Sequence, residues 1–422
     1  MAESRVRFLR KENNVPQLRY SSWAAGLRSS DISEILWMAR QPGMLTLAPG
    51  VPFPGSYPTE KVADIIESLI TREPETIFPY PYMQGTLRSR EAVVYRMAKR
   101  GVKGLSPERV VMTAGSQAAM DMATRIIMDP GDTMIIEAPT FMGTLDSIKN
   151  AGFNLVEIPI DADGIRTDIL RDTLARLSKQ GIHPKMIYLM SNYHNPAGIM
   201  LSQERRKELP LIAEEYNCFI AEDDAYSELL YDNFDQTAVK AYDTTDSVIY
   251  LGSFSKLVSP GFRVGWAVVP EEMTSTWNTC RPMLEVGAPA LNQEIIAELH
   301  VDNWLDGHIE KIKQGYRSRR DAMLRALETY MPEGCTWTPA HGGFYVWVTT
   351  PDSIDNDQLL LTAVKNKVIY FTGKFFYLDH QNHGHFRLCF SRPDEDTITE
   401  GVKRVATAIK EEMAKRSIEF LR

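Results

Sequence analysis

Val248-Ile249-Tyr250-Leu251-Gly252-Ser253-Phe254-Ser255-Lys256-Leu257-Val258-Ser259-Pro260-Gly261-Phe262-Arg263-Val264-Gly265-Trp266 decides how this chain is read. The first residues are β-branched and aromatic, the pattern of a buried strand. The strand breaks into the small hydroxyl residues Ser253 and Ser255 and leaves Lys256 just beyond its end. A Pro260-Gly261 turn follows, then Arg263 and a second apolar run. A lysine preceded by hydroxyls and followed by an arginine suits an anionic aldehyde cofactor. Lys256 would form the imine, while Ser253, Ser255 and Arg263 would hold a phosphate. The competing reading is a surface lysine that happens to follow a core strand.

Outward from this stretch, strands and helices alternate, which implies an α/β fold with a mainly parallel sheet wrapped by helices. Strands are expected at 109–113, 133–137, 155–159, 186–190, 218–223 and 247–252, and helices between them at 116–128, 140–151 and 202–216. Pro210 should kink or restart the last of these helices. Asn195, Asp223 and Lys256 each fall at or just past a strand end, roughly one strand–helix unit apart. Ligands of open parallel sheets bind outside the carboxyl ends of the strands, so the three residues are expected at one rim. Gly115-Ser116-Gln117 opens a helix, whose exposed N–H groups and dipole favour an anion. A long helix at 302–331 leads into a smaller α+β domain with strands at 343–348, 368–371 and 386–391. The expected division is 1–50 as N-terminal arm and part of the small domain, 51–301 as the large cofactor-binding domain, and 302–422 as connecting helix and C-terminal small domain.

The whole composition narrows the function classes. Apolar content of 44% and charged content of 24% are ordinary for a soluble chain of 422 residues. A net charge of −8, with both signs scattered, argues against nucleic acid or a membrane surface as partner. Cys218, Cys280, Cys335 and Cys389 lie far apart, which suits reduced thiols of a cytoplasmic protein and offers no metal motif. The N-terminus lacks the apolar core of a secretory signal, and no apolar run reaches transmembrane length.

The order Gly115-Ser116-Gln117, Ala138-Pro139-Thr140-Phe141, Asn195-Pro196-Ala197-Gly198, Asp223 with Tyr226, Ser253 to Lys256, Arg263 to Trp266 and Arg387 to Ser391 resembles the class I/II aminotransferases throughout. The nearest branch is that of kynurenine/2-aminoadipate aminotransferases. The resemblance implies a fold-type-I scaffold, pyridoxal 5'-phosphate as cofactor, and transfer of an amino group between an L-amino acid and a 2-oxo acid. It makes Lys256 the Schiff-base residue and Asp223 the partner of the pyridine nitrogen, which keeps the ring an electron sink. Tyr226 and Asn195 would meet the phenolic oxygen, Phe141 would stack on the ring, and Ser116 and Gln117 would join Ser253, Ser255 and Arg263 at the phosphate. Arg387 would take the substrate α-carboxylate as a bidentate fork. Gly50, Asn195 and Trp23 complete the expected substrate contacts. Tyr80 would reach the phosphate of a partner subunit, so a homodimer with shared active sites is expected.

Three departures fall where side-chain recognition is expected. The first-strand loop is Pro49-Gly50-Val51-Pro52 where relatives read G-G-x-P; Trp23, Gly26 and Arg28 stand where relatives often carry arginines; Thr372-Gly373 stands in place of Pro-Gly. They motivate an alternative in which the same cofactor serves elimination, replacement, oxidation or C–C bond formation. Two other classes are weaker. Ser253-Phe254-Ser255-Lys256 is also S-x-x-K, the motif of penicillin-binding serine enzymes, but no S-D-N or strand-borne K-T-G accompanies it. A regulator borrowing this fold would need an N-terminal DNA-binding domain, for which the residues before Leu47 leave little room.

Overall fold

The computed structural model describes residues 19–21, 24 and 31–420. A short β1 (Leu45–Thr46) precedes the strands of the main sheet. These are β2 (Val110–Thr113), β3 (Thr133–Ala138), β4 (Asn154–Asp161), β5 (Gly164–Ile165), β6 (Met186–Leu189), β7 (Phe219–Asp224), β8 (Val248–Ser253) and β9 (Gly265–Val268). Their order across the sheet is β2-β9-β8-β7-β6-β3-β4-β5. The run β8-β7-β6-β3-β4 is parallel, as expected from the alternation. Strands β2, β6, β8 and β9 are buried along their whole length, which is why they read as unbroken apolar runs.

The second apolar run of the Lys256 segment is β9, and it is antiparallel to both neighbours. The chain returns from β8 through the Lys256 and Arg263 loop without a crossover helix, so antiparallel pairing follows. This return puts the ends of β2, β3, β6, β7 and β8 and the start of β9 on one rim. Helices cover both faces. One apolar cluster includes Met134, Ile136, Tyr188, Ala221 and Ile249 and runs on into the C-terminal region. The other includes Ile135, Ile187, Ile220 and Val248, under the helices Thr167–Lys179 and Gln203–Glu215. The alternation along each strand explains the two faces.

A second sheet holds β10 (Thr336–Trp337), β11 (Tyr345–Thr349), β13 (Phe371–Thr372) and β14 (His385–Cys389) in the antiparallel order β10-β11-β14-β13, while β12 (Val368–Ile369) pairs in parallel with β1. The Cys389 N–H donates to Leu47 O at 2.8 Å, so the segment around residues 45–48 is knitted to C-terminal strands. The helix Trp304–Tyr330 packs along the terminal helix Glu395–Phe420.

Several elements differ from the sequence expectation. Residues 368–371, expected as one strand, divide at Tyr370 because β12 and β13 pair in different sheets. The connecting helix begins at Trp304, since Asp302 and Asn303 hold φ of 53° and 57°, outside helical space. Pro210 does not restart its helix, which is a single element from Gln203 to Glu215 with Ser202 as cap. The turn at 161–164 closes into the small β4–β5 hairpin. Residues 271–280 and 290–300 are helical without any sequence expectation. Among the described residues no helix is long and apolar enough to cross a membrane, and no cluster of three His, Cys, Asp or Glu suits a metal.

Candidate active site

Lys256 sits just past the end of β8, where the expected rim lies. Its Nζ donates to Gly50 O at 3.0 Å and lies 5.9 Å from the centres of the Tyr226 and Phe344 rings. Burial lowers its pKa to about 8, and the positive charges of Arg387 and Arg263 act in the same direction. A lysine with such a pKa is neutral for an appreciable fraction of the time near pH 7, as a nucleophile and base must be.

Glu222, Asp223 and Asp224 end β7. The solvated loop or helix cap that such a triplet suggests is not what forms: all three are buried. Glu222 accepts from Ser191 Oγ at 2.7 Å and from the N–H groups of Val239 and Lys240 at 2.9 Å each. Asp224 accepts from Tyr250 Oη at 2.7 Å, Asn192 Nδ2 at 2.8 Å and the Ser227 N–H at 2.9 Å. Asp223 differs. One oxygen accepts from Tyr188 Oη at 2.8 Å, and the other is buried with no partner. Burial pushes this carboxyl up to about 6, although Tyr188 donates to it. A buried carboxylate oxygen left open asks for a cationic or N–H partner.

Arg387, on β14, is 1% exposed. Its Nη1 donates to Asn195 Oδ1 at 2.7 Å and its Nη2 to Ala48 O at 2.8 Å, while Nε has no partner. The guanidinium carbon lies 4.2 Å from the Tyr345 ring centre and 5.1 Å from those of Phe371 and Phe376. Two bonds leave most of its five N–H donors available, enough for a carboxylate arriving edge-on.

Around the start of β9, Gly265 and Gly115 are packed backbone to backbone: a Cβ on Gly265 would stand 2.6 Å from the Gly115 carbonyl carbon. Only glycine permits that approach. It brings Arg263, with Nη2 2.9 Å from Ala114 O, against the N-terminus of the helix Ser116–Ile127. That terminus has no side-chain cap, so its first N–H groups stay open to an anion. Ser253 and Ser255 join hydroxyls at 2.9 Å at the end of β8, where Ser253 pairs with Gly265.

Lys256, Asp223, Tyr226, Asn195, Arg387 and Gly50 thus meet at one rim, with Ser253, Ser255, Arg263 and Ser116 along it. Phe141 caps the helix Met142–Asn150 and is half-buried, and Gln117 is exposed. Tyr80 is 86% exposed and stands free of this cluster. Trp23 lies outside the described residues. Two residues that the sequence did not single out belong to the site. Tyr188 anchors Asp223, and Tyr345 joins Tyr226 Oη at 3.0 Å. The available signal for Tyr345 was positional: it faces Cys389 across β11–β14, on the same side as Arg387.

The chain is similar to known proteins over nearly its whole length. Residues 54–405 match the family model described as aminotransferase class I and II. The chain is 34% identical to aromatic-amino-acid aminotransferase 1 of Thermococcus litoralis, over 96% of this chain and 99% of that protein. The multiple substrate aminotransferase of Thermococcus profundus superposes with a TM-score of 0.90 at 35% identity, covering 94% of this chain and 98% of that one. The kynurenine aminotransferase of Pyrococcus horikoshii, solved in complex with PMP, gives a TM-score of 0.90 at 36% identity, covering 93% and 97%. By these matches the chain belongs to the class I and II aminotransferases, enzymes that move an amino group between an amino acid and a 2-oxo acid with pyridoxal phosphate.

Proposed function

We propose that Lys256 is the residue that holds pyridoxal phosphate and moves the proton during amino transfer, with Asp223 and Arg387 fixing cofactor and substrate on either side. The unpartnered, buried oxygen of Asp223 carries this reading, because it is the one acid of its triplet with an open place for a protonated ring nitrogen. The rest of the rim fits the group as well. Ser253, Ser255, Arg263 and the uncapped helix at Ser116 offer donors to a phosphate, with Gln117 beside them. Phe141 is the candidate for stacking on the ring.

Bound pyridoxal phosphate supplies an electrophilic carbon for the substrate amine and a cationic ring that accepts the electron pair left when the Cα proton departs. Lys256 Nζ, in the neutral form that its lowered pKa makes accessible, takes that proton from Cα and gives it up within the site. Asp223 holds the ring-nitrogen proton in place, and Tyr188 keeps its carboxylate oriented. The Tyr226 hydroxyl and the Asn195 amide N–H would be the donors to the phenolic oxygen. Asn195 Oδ1 is already engaged by Arg387, which leaves Nδ2 as its donor. Arg387 grips the α-carboxylate and so fixes which bond at Cα Lys256 can reach.

Arg387→Ala should raise the KM for the amino donor on the order of a hundredfold, since one partner of a buried charged pair typically accounts for about 2–5 kcal/mol. Cofactor absorption should persist in that variant. Steady-state kinetics with spectra of the loaded enzyme check this, and a KM within a few-fold of the parent contradicts the assignment. Arg387→Lys should rescue little, because the planar fork is lost.

Two copies sharing the site is the arrangement that best accounts for Tyr80. Phe78, Tyr80 and Tyr82 are 70%, 86% and 76% exposed, and Met283 is 79% exposed. Gly287 packs on Pro81, where a Cβ would come within 2.7 Å of the ring, so the two segments lie side by side. Sedimentation at micromolar concentration should give a dimer, and Tyr80→Ala should weaken cofactor retention; a monomer with full cofactor occupancy contradicts both.

The function itself is tested by mixing the loaded enzyme with single amino acids and no acceptor. Aromatic donors come first, given the rings around Arg387 and the names of the relatives. Stoichiometric oxo acid with loss of the visible band and no ammonia supports transamination, whereas ammonia released alongside oxo acid, with the band retained, contradicts it.

A further inference from the structure

Tyr345 touches several parts of the site, yet the mechanism gives it no role. Its hydroxyl lies 3.0 Å from that of Tyr226, and the two rings meet edge-on with centres 5.8 Å apart. Both side chains are 3% exposed. The Arg387 guanidinium lies over the Tyr345 ring at 4.2 Å. On another side, Gly50 leaves room for the Tyr345 hydroxyl, which a Cβ at residue 50 would overlap. The same Gly50 offers its carbonyl to Lys256 Nζ. At its backbone, Tyr345 O lies 2.5 Å from where a Cβ on Gly198 would stand, and Gly198 holds φ of 67°. The loop carrying Asn195, the first-strand loop and β14 therefore all close on this one tyrosine.

A phenol has one proton to give and two lone pairs. If the Tyr226 proton is directed to the cofactor, its oxygen is left as an acceptor, and the Tyr345 hydroxyl is placed to donate to it. We propose that Tyr345 is a positioning residue whose hydroxyl, by donating to Tyr226, strengthens the bond Tyr226 makes to the phenolic oxygen of the cofactor. This rests on the reading that Tyr226 faces that oxygen. Hydrogen bonds in a chain polarise one another, by roughly 10–30% per bond. The charged and titratable groups facing the pair are Arg387 over Tyr345, Lys256 beside Tyr226, and Cys389 opposite Tyr345 on β14. Burial pushes both tyrosine hydroxyls upward, so each keeps its proton to donate at neutral pH.

The test reads the pH at which the visible band of the lysine-bound cofactor titrates. A donor to the phenolic oxygen favours the form in which that oxygen is anionic and the lysine nitrogen has lost its proton. Weakening the donor therefore moves the midpoint to higher pH. Tyr345→Phe removes only the hydroxyl and keeps the ring under Arg387. It should raise the midpoint by roughly half a unit, with a larger rise for Tyr226→Phe. In the Tyr226→Phe background, Tyr345→Phe should add nothing. An unchanged midpoint in Tyr345→Phe, with Tyr226→Phe still shifted, overturns the role of Tyr345 alone. An equal shift with and without Tyr226 also overturns it, since the action would then bypass Tyr226. No shift in Tyr226→Phe overturns this proposal together with the reading of Tyr226 beneath it.

Discussion

Lys256→Ala is expected to abolish turnover and to remove the visible absorption of the cofactor-loaded enzyme. Two effects combine. With the side chain as the proposed covalent anchor, its removal would leave cofactor held by phosphate, ring and hydrogen bonds only. It is also the proposed base for the Cα proton, and a positioned base contributes on the order of 10²–10⁴-fold. No described lysine other than Lys256 occupies this rim: its Nζ alone reaches Gly50 O, beside Tyr226 and Phe344. Residual activity should be partly restored by small exogenous amines, which can replace a base but not an anchor. Turnover near the parent level in Lys256→Ala removes the basis of the assignment.

Asp223→Asn is the second large effect. The substitution keeps the shape and can keep the bond from Tyr188, but it loses the charge. The Asp223 pKa of about 6 arises from burial without a cationic partner. A protonated ring nitrogen beside it would draw that value down, as an opposite charge does. The same coupling keeps the ring protonated. Without it kcat should fall on the order of 10²–10³-fold, the usual size of a preorganised electrostatic contribution, with KM little changed. Stopped-flow half-reactions with one amino donor measure this directly, and a fall of less than about threefold would assign Asp223 to structure only.

The rim of the sheet was legible because parallel topology converts sequence order into position. Asn195, Asp223 and Lys256 could be placed together from strand ends alone, and Arg387 stood out as a charge in an apolar strand. What escaped depended on contacts between distant segments. Glu222 and Asp224 look like a solvated acidic run until Ser191, Asn192, Val239, Lys240 and Tyr250 arrive with donors. Tyr188 and Tyr345 read as core aromatics, since a strand pattern does not say which hydroxyl will meet a partner. The antiparallel sense of β9 and the division of residues 368–372 between sheets were set by pairing partners that local pattern does not specify. Tyr80 falls outside the cluster within one chain.

The most direct measurement is reduction of the loaded enzyme with borohydride, followed by proteolysis and mass mapping of the fixed cofactor. The account requires the adduct on Lys256, in the peptide that ends β8, with the visible band lost in step. An adduct on a different lysine, or a bleached band with Lys256 unmodified, would contradict it.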